Sequence, residues 1–117
     1  MNQVNLSTEV RKPNPTISII DIQGDVTGLA ENALMDAFSQ ASNGTTRAIL
    51  LNFSGLDYMN SSGIGLLVTL LIRTQRQKQK LMACGLSEHY EEIFKLTRLN
   101  EAIGIYADES DALAALS

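Results

Sequence analysis

Apolar and polar side chains alternate along residues 4–10, with the period of two that is typical of a half-exposed β-strand. Residues 11–15 (Arg-Lys-Pro-Asn-Pro) predict a turn, because each proline fixes its φ angle and lacks a backbone donor. Residues 16–23 are rich in isoleucine and predict a second strand, which Gly24 ends. We therefore expect the chain to begin with a β-hairpin.

The rest of the chain alternates between helical and strand patterns. Thr27 is a suitable N-cap for an amphipathic helix that Asn43 and Gly44 end. The continuous apolar run at residues 48–53 is typical of a strand covered on both faces, and it predicts a central, parallel position. The pattern continues with a helix from Asn60, a strand at residues 81–85, a helix capped by Ser87, a strand at residues 102–106 and a final helix capped by Asp108.

Helical spacing also predicts which side chains face the core. They are Leu29, Ala33, Leu34, Ala37, Phe38 and Ala41 in the first helix, Tyr90, Ile93, Phe94 and Leu96 in the third, and Leu113 and Leu116 in the last. The order of elements, β-β-α-β-α-β-α-β-α, predicts an α/β fold. We expect a single-layer mixed, mostly parallel β-sheet with an N-terminal hairpin and about four packed α-helices.

The composition is that of one small globular domain, which we expect to cover residues 1–117. Hydrophobic residues make up 44% of the chain and charged residues 19%, as in ordinary folded domains. The net charge of −4 argues against nucleic acid and anionic membranes as partners. One cysteine and one histidine are too few for a disulfide framework or a zinc cluster. We therefore expect no metal and no cofactor.

Two further observations concern the membrane. The N-terminus lacks the hydrophobic stretch that precedes a secretory cleavage site. The longest apolar stretch, residues 64–72, is interrupted by polar and small residues and is about half as long as a membrane span. We therefore expect a cytoplasmic protein without a membrane partner.

Residues 60–65 (Asn-Ser-Ser-Gly-Ile-Gly) begin the second predicted helix, although they are poor helix formers. Two glycines in the opening turn cost roughly 1 kcal/mol each relative to alanine. They leave bare N–H groups and small side chains at the positive end of the helix dipole, where an anion or a partner backbone can approach closely. From the residues alone, helix capping is the simpler reason for this composition.

The helix that follows has two different faces at about 100° per residue. The predicted core face consists of Ile64, Leu67, Val68, Leu71 and Gln75. The opposite stripe consists of Ser62, Gly65, Thr69, Arg73 and Arg76, with Leu66 and Ile72 at its edges. Small, hydroxyl and basic groups with apolar shoulders predict an interaction surface, and Ser62 lies nearer its centre than Ser61.

The sequence resembles the STAS domain of bacterial anti-sigma factor antagonists. The resemblance is carried by residues 56–65 (Leu-Asp-Tyr-Met-Asn-Ser-Ser-Gly-Ile-Gly), which match the family's phosphorylation loop. It continues through residues 84–87, residues 94–99 and the last helix, and it covers essentially all of residues 4–116.

The resemblance implies a phosphoprotein that regulates transcription by partner switching and is not an enzyme. In the family, the first serine of the pair is the phosphoacceptor, which corresponds to Ser61. The unmodified antagonist binds an anti-sigma factor that is itself a serine/threonine kinase, and this releases the sigma factor. The kinase then phosphorylates the serine, the antagonist dissociates, and a PP2C-type phosphatase resets it. We expect a monomer or weak dimer.

The resemblance and the outward stripe together predict a partner-binding surface around the loop. Its expected members are Asp25, Asp57, Asn60, Ser61, Ser62, Gly63, Gly65, Leu66, Thr69 and Arg73.

Three alternatives remain open at this point. Many family members have an acidic residue before the acceptor serine, whereas this chain has Asn60, which keeps open a non-switching scaffold subunit of a larger signalling complex. The residues alone do not choose Ser61 over Ser62 as the acceptor. A nucleophilic Ser61 would need His89 as its base, but we expect His89 to be exposed and Cys84 to be a core residue.

Overall fold

The computed structural model describes residues 5–116 and has the predicted order of elements. The strands are β1 (Leu6–Asn14), β2 (Ile17–Val26), β3 (Ala48–Met59), β4 (Lys80–Cys84) and β5 (Gly104–Tyr106). The α-helices are α1 (Glu31–Ala41), α2 (Ser61–Arg76), α3 (Glu88–Leu96) and α4 (Glu109–Ala114), and short 3₁₀ turns lie at Gly28–Ala30 and Leu99–Glu101.

The strands form one mixed, mostly parallel sheet in the order β1-β2-β3-β4-β5. β1 and β2 are antiparallel and form the predicted hairpin, whereas β2, β3, β4 and β5 run parallel to their neighbours. β3 lies at the centre, and its first four residues are buried because strands flank it and side chains cover both faces. The central, parallel position predicted for residues 48–53 is therefore confirmed.

Alternate residues of the central strands belong to two apolar cores, one on each face of the sheet. The larger core joins β2 and β3 to α1, α2 and α3 through residues such as Ile20, Leu51 and Phe94. The smaller core contains Cys84 and Ala112 and lies under α4. Cys84 is buried as predicted, and burial raises the pKa of its thiol to about 11.

Both strands of the hairpin are longer than predicted. β1 continues through the predicted turn to Asn14, with irregular pairing after Arg11, and the side-chain oxygen of Asn14 accepts the N–H groups of Thr16 and Ile17. Gly24 does not end β2, because its positive φ of 102° lets the strand pass close to the Asn5 carbonyl. Residue 4, the predicted start of the first strand, lies outside the described residues.

Outside α2, two side chains expected in the core are exposed. Leu29 is 51% exposed, because Thr27 caps a 3₁₀ turn and the α-helix begins only at Glu31, which changes the helical phase. Leu96 is 74% exposed at the end of α3, and Leu99 of the following turn is buried against the core.

The side chain of Arg11 connects the hairpin to α4 on the smaller-core face. Its guanidinium donates to Asp21 (Nε–Oδ2 2.6 Å, Nη2–Oδ1 2.8 Å) and to Glu109 (Nη2–Oε1 2.6 Å). Asn52 of β3 also donates to Asp21 at 2.8 Å. These bonds, and above all the two from Arg11, hold the pKa of the Asp21 carboxyl below its usual value.

Replacing Asp21 by asparagine (D21N) should lower the free energy of unfolding by about 1 kcal/mol at neutral pH, because the charge-assisted bonds are lost. The folded-state pKa of Asp21 lies below its ordinary value of 3.8. The difference in the free energy of unfolding between the wild type and D21N is therefore at its full size above pH 3.8, and it disappears as the pH falls through the folded-state pKa. Urea unfolding at neutral and strongly acid pH measures both quantities.

The matched control is Glu9→Gln, which removes an exposed carboxylate from the β1 residue that pairs with Asp21. An equal loss of stability in the two variants would contradict the role of the Arg11 bonds. A difference in the free energy of unfolding between D21N and the wild type that does not shrink at acid pH would also contradict it.

Candidate functional site

The start of α2 is tied to the end of β2 by Asn60. Its side-chain Oδ1 accepts the N–H of Gly63 at 2.9 Å, so Asn60 is the N-cap of the helix. Its backbone N–H donates to the carbonyl of Val26 at 3.3 Å. The first turn of α2 is therefore fixed to the sheet on one side and open on the other.

The two glycines of this turn have different roles. Gly63 is buried, and a Cβ there would overlap the Val26 carbonyl oxygen and lie 3.0 Å from the Met59 Cγ. Gly63 lets the backbone of α2 rest directly on the end of β2, and its predicted place in the partner surface is wrong. Gly65 is exposed, and a Cβ there would meet nothing within 4 Å.

Ser61 and Ser62 are the first two residues of α2, and both are exposed. Neither hydroxyl makes a hydrogen bond within residues 5–116. Ser62 lies beside the loop between β2 and α1, because a Cβ on Gly28 would be 3.5 Å from the Ser62 Cβ and 3.8 Å from its Oγ. The loop therefore covers one side of Ser62.

The faces of α2 are rotated relative to the predicted ones. The buried residues are Gly63, Leu66, Leu67, Leu70 and Thr74. Leu66, predicted in the partner surface, is only 9% exposed and belongs to the core. Gln75 and Val68, predicted in the core, are exposed. The contact between Gly63 and Val26 sets this rotation, since the face that carries Gly63 must turn toward the sheet.

The corrected rotation places apolar side chains at the centre of the exposed face. Ser61, Gly65, Val68 and Ile72 are spaced i, i+4, i+7 and i+11, which puts them on one side of a helix. Val68 is 38% exposed and Ile72 is 45% exposed, and we call these two residues the apolar patch. Ser61, and not Ser62, is therefore in line with the centre of the exposed face.

Val68 is the part of the apolar patch that the sequence interpretation missed, because it was assigned to the core, whereas Ile72 was placed at the edge of the predicted stripe. The spacing of Gly63, Leu67, Leu70 and Thr74 fits a helical period as well as the predicted core face did. A glycine at the centre of the buried face was the signal, since buried glycines mark close approach of two backbones. Leu29 and Tyr58, both 51% exposed, add apolar surface near the same helix end.

The acidic residues predicted in the surface lie at the same end of the sheet as the serines. Asp57 is exposed near the end of β3, and Asp25 pairs in register with the next residue, Tyr58. Asp25 is half-buried and accepts a hydrogen bond from the side chain of Asn5 at 3.0 Å. A phosphate at this end would therefore join existing negative charge.

Thr69 and Arg73 lie farther along the exposed face. The Thr69 hydroxyl donates to the Gly65 carbonyl at 3.2 Å. Arg73 is exposed in the last turn, about 18 Å along the helix axis from Ser61 at the usual rise per residue. Arg73 and Arg76 are therefore remote from the serines and lie where cations offset the helix dipole.

His89 is exposed in the first turn of α3, as predicted, and its ring contacts that of Tyr90. Ser61 and His89 share no hydrogen bond. Within residues 5–116, no three His, Cys, Asp or Glu side chains form a group that could hold a metal ion. None of the helices in this range is long and apolar enough to cross a bilayer.

A family model for the STAS domain matches residues 8–112. The fold is similar to that of the anti-sigma factor antagonist SpoIIAA in its unphosphorylated form, with a TM-score of 0.74 and 19% identity over 94% of this chain and 97% of that chain. The Bacillus cell fate determinant SpoIIAA in its phosphorylated form has a TM-score of 0.68 and 18% identity, over 95% of this chain and 100% of that chain.

Two further solved structures have similar folds. An anti-sigma factor antagonist from Mycobacterium paratuberculosis has a TM-score of 0.80 and 18% identity, over 94% of this chain and 92% of that chain. A sulfate transporter family protein from Wolinella succinogenes has a TM-score of 0.73 and 17% identity, over 85% of this chain and 83% of that chain. At these identities the likeness is one of fold.

The two glycines give a matched pair of predictions. Gly63→Ala should lower the free energy of unfolding by about 2–3 kcal/mol, because its Cβ would push α2 away from Val26. Gly65→Ala should raise it by about 1 kcal/mol, because the space is open and alanine is the better helix former. Urea denaturation of both variants measures the two changes, and a similar effect of the two substitutions would contradict the packing role of Gly63.

Proposed function

The chain belongs to the STAS domain family, and on that premise we propose that it is an anti-sigma factor antagonist switched by phosphorylation of Ser61. The observation that carries the proposal is an exposed, unengaged hydroxyl on the first residue of a rigidly held helix, in line with the apolar patch. The likeness to SpoIIAA, which is known in a phosphorylated form, supports it.

The proposed cycle has three steps. The unmodified protein binds an anti-sigma factor kinase through the exposed face of α2, and the kinase releases its sigma factor. The Ser61 Oγ then attacks the γ-phosphorus of ATP, ADP leaves and the hydroxyl proton is lost. A PP2C-type phosphatase later hydrolyses the phosphoserine. In this cycle the protein is bound and modified, is not itself an enzyme, and acts in the cytoplasm as a monomer or weak dimer.

Ser61 is the better acceptor of the two serines on geometric grounds. A kinase needs access to the hydroxyl from the side on which it docks. Ser61 lies on the same side of α2 as Val68 and Ile72, whereas Ser62 lies beside Gly28. A partner seated on the apolar patch would therefore approach Ser61 first.

A phosphate on Ser61 should change the surface and leave the fold intact. It adds about −1.5 to −2 charges. The open N–H groups and the positive dipole of the first turn of α2 favour an anion at that position. Asp57 and Asp25 lie at the same end of the sheet, so the surface becomes more negative and bulkier where the partner would sit. The result is release of the partner without unfolding.

The alternative proposal is a scaffold subunit that is not switched by phosphorylation. Asn60 is the observation that favours it, because many family members have an acidic residue at this position. Here Asn60 caps α2 through its amide oxygen and contributes no charge beside the acceptor serine. The likeness to a sulfate transporter family protein also shows that the fold is not confined to antagonists.

Incubation with an anti-sigma factor kinase from the same organism and ATP should place one phosphate on Ser61, as measured by mass spectrometry of peptides. S61A should not be phosphorylated but should still bind the kinase. S61D should bind more weakly, because its negative charge replaces part of the phosphate.

S62A is the matched control, and it should be phosphorylated at the wild-type rate. Phosphate on Ser62 in the wild type, or phosphorylation that persists in S61A, would refute the assignment of Ser61. Equal kinase affinity of S61A and S61D would favour the scaffold.

Ile72→Glu tests the apolar patch. The substitution should weaken kinase binding by about tenfold or more, because burial of an isoleucine side chain is lost. Its free energy of unfolding should change by less than about 0.5 kcal/mol, since the side chain is exposed. Isothermal titration calorimetry with the kinase gives the affinity.

Gln40→Glu is the control, since it adds the same charge to an exposed position near the end of α1. Equal affinities of the two variants would show that the partner does not use the patch.

A further inference from the structure

The last part of β3 extends beyond its neighbour β4. Pairing between the two strands ends at Asn52 with Cys84, whereas β3 continues to Met59. Along this extension β3 still pairs with β2, up to Val26 and Met59. The edge of β3 that faced β4 therefore loses its strand partner before the chain reaches Asn60.

Tyr90 of α3 occupies the vacated edge. The backbone N–H of Met59 donates to the Tyr90 hydroxyl oxygen at 2.9 Å. Tyr90 is half-buried and packs against the larger core, and Met59 is only 5% exposed. An unpaired N–H at a buried position is costly, so the hydroxyl replaces the acceptor that β4 does not provide.

The position of Met59 makes this bond relevant to the site. Met59 immediately precedes Asn60, the N-cap of α2, and its Cγ lies close to the position of a Cβ on Gly63. β2 holds the start of α2 from one side, through the bond from Asn60 to Val26. Tyr90 of α3 holds it from the other side, through the bond to Met59.

We propose that Tyr90 is a positioning residue for the phosphorylation site: its hydroxyl holds the end of β3 and thereby the first turn of α2, which carries Ser61. The functional part of this inference rests on the proposed phosphorylation of Ser61. The structural part, a β3 end that the Tyr90 hydroxyl holds on the side away from β2, does not. The two parts therefore have separate measurements.

The structural measurement is amide hydrogen exchange by NMR in Tyr90→Phe, which keeps the ring and removes the hydroxyl. The Met59 amide should exchange about tenfold faster, because one hydrogen bond is lost. The amide signals of Asn60 and Ser61 should shift as well. The most protected amides of β3, such as that of Leu50, exchange through global unfolding, and their exchange rates should stay the same. Faster exchange at Met59 without faster exchange at Leu50 would indicate local opening of the strand end and not a general loss of stability.

Tyr106→Phe is the matched control. Tyr106 packs against the smaller core on the opposite face of the sheet, so removal of its hydroxyl should leave the Met59 and Ser61 amides unchanged. The wild type provides a test that needs no folded variant. If its Met59 amide exchanges as fast as those of exposed loops, the bond to Tyr90 is absent and the proposal is refuted.

The functional measurement is the rate of Ser61 phosphorylation by the anti-sigma factor kinase. Tyr90→Phe should lower kcat about threefold to tenfold with a smaller change in KM, because the first turn of α2, which carries Ser61, is held less firmly while the apolar patch farther along the helix is intact. Equal kcat in Tyr90→Phe and Tyr106→Phe would overturn the positioning role. Failure of the wild type to be phosphorylated would refute the proposed function instead, and the exchange measurement would still decide whether Tyr90 holds the strand end.

Discussion

The direct backbone approach of Gly63 to the Val26 carbonyl is the constraint on which the site depends. A helix that rests on the end of a strand without an intervening side chain has little freedom to roll. Its buried face must include Gly63, and Leu67 and Leu70 follow on the same side. The exposed side is then determined too, and Ser61 and Ile72 lie along it. One close contact therefore decides which residues a partner can meet.

Around that contact, the first turn of α2 is held from several directions. Asn60 caps the helix and donates to β2, and Tyr90 of α3 accepts from the end of β3. The hydroxyl groups of the two serines that follow make no hydrogen bond within the described part of the chain. This division of roles suits a modifiable surface, because a group added to Ser61 breaks no bond that holds the fold. The helix dipole further favours a negative group at this end.

Most of the architecture was predictable because local patterns and connection rules agreed. The apolar run at residues 48–53 implied a central strand, and the caps at Ser87 and Asp108 were recognisable from residue type alone. Outside α2, the errors in the predicted core occurred at helix ends, where an adjacent 3₁₀ turn interrupts the helical periodicity. Leu29 is exposed because a 3₁₀ turn precedes α1, and Leu96 is exposed at the end of its helix, where Leu99 is buried against the core. Helical periodicity encodes neither of these two departures.

The fold class and the order of elements could be read from the sequence, because local patterns specify each element. The poor helix formers at residues 60–65 marked an unusual turn, and the resemblance to the STAS domain made that turn the candidate site. Which side of α2 is exposed could be learned only from its packing against the sheet. Two helical faces had similar apolar periodicity, and the choice between them required the contact of Gly63 with β2. The same contact moved Leu66 into the core and placed Val68 at the surface, since a helix rolls as one body and all its side chains turn with it.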